Sequence, residues 1–131
     1  MLEYLDQIDF TFRKVCGATF LANIPFVTSD EQFSDSIRRS GGSLLRAEED
    51  CNRFFVVQDF FSRFLPNYDY SEDDLINIAR AYATRLKAEL QTAYAGESFS
   101  VEIIGDDLVE DEPLELCVTF RSEYAARHNG A

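Results

Sequence analysis

A single α+β domain, mainly helical and closed by a C-terminal antiparallel β-hairpin, is the fold class predicted by three features of this sequence. The stretch "SEDDLINIARAYATRLKAELQTAYAG" repeats apolar residues at helical spacing between a capping serine and a stopping glycine. After Gly96 the period changes from 3.6 to 2, as expected where helix gives way to strand. The chain has 131 residues, 46% of them apolar, which is enough to bury one core without disulfides. The domain is expected to span residues 1–122, with residues 123–131 as a frayed tail.

The elements follow in order. At ~100° per residue, Tyr4, Leu5, Ile8, Phe12, Val15 and Cys16 share one face of a helix over residues 2–16, with Gly17 as its stop. Ile8, Phe10 and Phe12 also alternate with Asp9, Thr11 and Arg13, so a strand competes with that helix. Residues 18–28, "ATFLANIPFVT", are apolar and interrupted by Pro25, hence extended and available as a third strand. A short helix over about 30–39 is predicted by Ser29 as cap, acids in its first turn and arginines in its last.

Gly41 and Gly42 separate it from "SLLRAEEDCNRFFVVQDFFSRFL", where Leu44, Ala47, Cys51, Phe54, Phe61 and Leu65 form a helical stripe ended by Pro66. Five phenylalanines lie between positions 54 and 64. On the wheel Val56, Val57, Phe60, Phe61 and Phe64 spread across ~180°, which suits a helix packed between other elements. Phe55 falls on the far side. Ser71 and Asp74 then cap the long helix, whose stripe is Leu75, Ile78, Ala79, Tyr82, Leu86, Leu90 and Ala93. Phe99, Val101 and Ile103 alternate with polar residues, as do Leu114, Leu116, Val118 and Phe120, and the two resulting strands pair across "GDDLVEDEP".

The net charge is −12, from 24 Asp and Glu against 12 Lys and Arg. Such a surface repels nucleic acid and anionic lipid and attracts basic proteins or cations. No segment reaches the ~18 apolar residues needed to cross a bilayer, and the N-terminus carries no basic run ahead of an apolar one. A cytoplasmic location is expected. Cys16, Cys51 and Cys117 are odd in number, far apart and set among apolar residues, so they read as buried thiols rather than zinc or redox groups.

No stretch carries a catalytic, metal or cofactor motif, and the chain is read as a non-enzyme with no cofactor. The only histidine, His128, lies in the tail, away from any positioned nucleophile. "AEED" at 47–50 and "SEDD" at 71–74 sit near helix N-termini, where the helix dipole is sufficient reason for their charge. The acids of the hairpin loop, Asp106, Asp107, Glu110, Asp111 and Glu112, match no calcium-loop spacing and are candidates for docking a basic protein. Phe55, Tyr68 and Tyr70 are the candidate aromatic anchors, with the two tyrosines also readable as a cover over the end of the helix pair. The expected function is protein binding, most concretely as an acidic immunity-like or antitoxin-like inhibitor of a basic partner. A structural subunit of a homo-oligomer or larger assembly is the alternative.

Overall fold

The stripe of Leu75, Ile78, Ala79, Tyr82, Leu86 and Leu90 is buried along one side of a 22-residue helix, and it organises the molecule. The computed structural model describes residues 1–22, 29–105 and 116–128. The strands are β1 (Phe12–Val15), β2 (Ala18–Leu21), β3 (Phe54–Phe55), β4 (Phe99–Ile104) and β5 (Cys117–Ser122). The α-helices are α1 (Asp30–Ser40), α2 (Leu44–Cys51), α3 (Ser62–Phe64), α4 (Glu72–Ala93) and α5 (Glu123–Arg127). The fold is α+β with antiparallel sheets.

β4 and β5 form the expected antiparallel hairpin, in a register that pairs Val101 with Phe120 and Ile103 with Val118. Those four side chains belong to the same core as the α4 stripe. Phe120 and Val118, which are fully buried there, each contribute about 1.5–3 kcal/mol before the entropy of ordering them, and the half-buried Val101 and Ile103 less. β5 is buried along nearly its whole length because α2 covers its second face. There the Thr119 hydroxyl donates to the Glu49 carbonyl at 2.5 Å.

The α4 cap is as predicted: Ser71 accepts from the Asp74 N–H and Asp74 accepts from the Ser71 N–H. α1 likewise starts at Ser29 and ends at Gly41 in the left-handed region, φ 69°.

Four expectations are corrected. The helix over residues 2–16 is instead a 3₁₀-helix over Leu2–Gln7 followed by β1. Cys16 and Gly17, at φ 54° and 83°, form the two-residue turn that joins β1 to β2, so Gly17 serves a hairpin rather than a helix end. Phe10, which the helical face had left out, packs on Tyr82 with ring centroids 5.4 Å apart.

The segment offered as a third strand does contain one, β2, but β2 pairs with β1 in a separate two-stranded sheet. The third strand of the main sheet is β3, in the order β3-β5-β4. Residues 23–28 lie outside the described residues.

The long helix ending at Pro66 is broken. α2 stops at Cys51, because the Asn52 side chain takes the Glu48 carbonyl and two groups of β2, and the backbone then straightens to pair Phe54 and Phe55 with β5. It recoils as a π-helix over Val56–Phe61, running into α3. Tertiary pairing overrides local helical spacing here. Three of the five phenylalanines are still core: Phe54, Phe60 and Phe61 are buried, Phe64 is partly buried and Phe55 is exposed.

The tail is not frayed through residue 127. Ser122 caps α5, and Ala125 is fully buried beside Val15, Ala18, Phe20 and Phe33 in a second cluster.

Candidate partner-binding surface

Between α3 and α4 every residue from Pro66 to Ser71 is exposed. Pro66 stops α3, the Tyr68 N–H donates back to the Leu65 carbonyl at 3.1 Å, and the Ser71 capping box fixes the far end. Within this corner Tyr68 and Tyr70 are 44% and 38% exposed. Both rings lie against buried Phe61, with centroids 6.3 and 4.7 Å away. The two tyrosines are therefore held from below while each keeps part of its side chain open to solvent. Asp69, Glu72, Asp73 and Asp74 surround them in sequence. The negative charge of Asp74, with some burial and a hydrogen bond to the same carboxylate, raises the Tyr68 hydroxyl above its ordinary pKa. It stays a neutral donor at physiological pH.

Phe55 is 38% exposed but is not part of that corner. Strand alternation sends Phe54 inward to stack on Tyr82 at 3.8 Å and turns Phe55 to the other face of β3. The ring contacts of Tyr68 and Tyr70 run to Phe61, not to Phe55. Asp106, Asp107, Glu110, Asp111 and Glu112 lie outside the described residues.

The reading of "AEED" as a helix-end charge misses its most consequential residue. Glu48 is fully buried, one turn inside α2. Its carboxylate accepts from the Thr19 N–H at 2.9 Å, the Ser122 N–H at 2.5 Å and the Ser122 hydroxyl at 2.7 Å. Burial raises its pKa, and the three donors, with Lys14 nearby, pull the other way. Asn52, four residues on, accepts from the Leu21 N–H at 3.0 Å and donates to the Thr19 carbonyl at 2.8 Å. Helical i, i+4 spacing thus aims two polar side chains at the open edge of β2, where they substitute for a neighbouring strand. A buried polar pair at i, i+4 on a helix facing a predicted strand is the signal that could have found them.

A cleft of about 570 Å³ lies between α1, α2 and α5, lined among others by Cys16, Arg38, Ser43, Tyr124 and His128. Tyr124 stacks on His128 at 4.0 Å. It also covers Gly17, where a Cβ would meet its ring at 2.2 Å. The Cys16 thiol donates to the Asp30 carbonyl at 3.3 Å, and burial together with the Asp30 charge pushes its pKa up. Cys16 is held as a thiol, the poorer nucleophile. Burial and Asp50 do the same to Cys51. Among the described residues no group of three or more His, Cys, Asp or Glu side chains could hold a metal ion. No described helix is long and apolar enough to cross a membrane. Compared with protein-family models, curated proteins and solved structures, the chain matches none of them.

Proposed function

We propose that this chain is a non-enzymatic protein-binding module that captures a basic partner, in the manner of an immunity protein or antitoxin. The observation that supports this reading best is the pair of exposed tyrosines at 68 and 70, held against Phe61 within a run of acids on a molecule of net charge −12. Rigid aromatic groups with a polar tip make efficient anchors, because little side-chain entropy is left to lose on binding. The surrounding carboxylates steer a cationic surface toward them and favour it over an anionic one. The acids at 106–112 extend the same charge along the chain. Three free cysteines suit a reducing compartment, and we place the protein in the cytoplasm.

Capture from the native cell, followed by association kinetics on the recovered protein, tests this. Replacing Tyr68 and Tyr70 with Ala together is expected to speed dissociation at least tenfold, while association falls as salt rises. A partner that is acidic, or that binds the double variant equally well, removes the proposal. The alternative, a subunit of a homo-oligomer or larger assembly, would use exposed Phe55 and its neighbours, with Phe54, Phe60 and Phe61 internal. Light scattering across concentrations decides it.

A further inference from the structure

Strand edges carry unpaired N–H and C=O groups that accept any extended chain, so how a protein closes each edge is informative. Here the edges are treated unequally. On β2 the outward groups of Thr19 and Leu21 end on Glu48 and Asn52. On β5, past the end of the two-residue β3, the Ser122 N–H also ends on Glu48. β4, six residues long, lies at the margin of the sheet order β3-β5-β4.

The register determines which groups of β4 face outward. The Glu123 N–H donates to the Ser98 carbonyl at 2.9 Å, and Phe99 lies opposite Ser122. In an antiparallel ladder this makes Ser98, Ser100, Glu102 and Ile104 the residues that bond β5. The N–H and C=O groups of Phe99, Val101 and Ile103 therefore point away from it, and no described strand pairs with them. Their side chains pack into the α4 core, so the strand is held in the extended form that an added strand requires.

The geometry points to β4 as the docking edge for an extended, lysine- or arginine-bearing segment of the partner, which joins the sheet as a fourth strand. This rests on the proposed capture of a basic protein. Main-chain bonds to Phe99, Val101 and Ile103 supply a track of about 14 Å, and charge selects the occupant. Glu97 and Glu102 are already shared with Lys14 and Arg121, so the excess comes from the surface as a whole, at net charge −12. A second copy carries the same −12 and is disfavoured at this edge.

Amide hydrogen exchange on the isotope-labelled full chain tests the proposal, with a synthetic peptide of alternating lysine and valine, about nine residues long, as probe. Saturating peptide is expected to slow exchange at Phe99, Val101 and Ile103 about tenfold. The same peptide methylated on alternate backbone nitrogens is expected to leave all three unprotected. Val101→Pro removes one outward N–H and no bond to β5, so it is expected to weaken binding with the protein still folded. Should that variant unfold, the methylated peptide makes the same comparison on the unaltered protein. Binding of the lysine peptide without protection at these three amides overturns strand docking and leaves capture of a basic partner standing. Equal protection by a glutamate–valine peptide sustains the edge and overturns the basic occupant. Protection that appears with protein concentration alone, alongside a sedimenting dimer, overturns the proposal in favour of a second copy.

Discussion

At Glu48 three donors converge on a carboxylate that no solvent reaches, and the balance between them has a measurable sign. Burial outweighs the donors, so the folded-state pKa lies above the ordinary 4.5. A group raised in this way binds its proton more tightly folded than unfolded. Its contribution is fully present below about pH 4.5 and is lost as pH rises through the folded value. The stability of the protein minus that of Glu48→Gln is therefore expected to fall as pH rises from about 4.5 to 8, in urea titrations at each pH. A difference that grows with pH would mean that the donors stabilise the charge by more than burial costs. Phe61 is a second single-residue test. It is 1% exposed and touches Phe60, Tyr68 and Tyr70. Phe61→Ala is expected to cost about 3–5 kcal/mol and to loosen the tyrosine corner. A urea midpoint that barely moves would place Phe61 at the surface.

At the scale of elements, α2 acts less as a packed cylinder than as a source of side chains for strand edges. Its apolar stripe was readable from the sequence, since Leu44, Ala47 and Cys51 pack on the second cluster as helical spacing requires. Its polar use was not readable, because Glu48 and Asn52 serve strand residues 29 or more positions distant in sequence. Asn52→Ala strips the Leu21 N–H and the Thr19 carbonyl of their partners and is expected to cost about 2–5 kcal/mol. It also opens the edge of β2, so self-association should rise with the loss of stability. Unchanged unfolding and a monomer in light scattering would show that water replaces the amide. The capped helices α1 and α4 were legible because caps and stripes are local. The break after α2 was not, since Phe54 and Phe55 become a strand only where β5 is present to pair with them.

Across the whole molecule the excess of 12 negative charges sets a field rather than a contact. Raising salt from about 0.05 to 0.5 M shortens the Debye length from about 14 to 4 Å. Association with a basic partner is expected to slow strongly over that range and dissociation to change little. Replacing Asp106, Asp107, Asp111 and Glu112 with Asn and Gln should slow association in the same direction and weaken its salt dependence. The same variant should keep its melting temperature or gain slightly, as self-repulsion eases. A large fall in melting temperature would show that these acids bind a cation or cap backbone groups, and a calcium titration separates the two.

The sequence by itself determined the α+β class, the caps and stripes of α1 and α4, the antiparallel pairing of the last two strands and the burial of Phe54, Phe60 and Phe61. Each depends on periodicity or on groups a few residues apart, which the local chain expresses whatever surrounds it. The same locality marked a turn between two helices, at Pro66 and the Ser71 cap, while the exposure of Tyr68 and Tyr70 there came from the structure. Only the tertiary structure decided that the N-terminal segment becomes a hairpin, that the middle helix breaks to supply β3, and that Glu48 and Asn52 close one sheet edge. That no described strand pairs with the outer edge of β4 belongs with these. Backbone hydrogen bonds across a sheet join residues distant in sequence, so which edges are closed is set by the neighbours that the fold delivers.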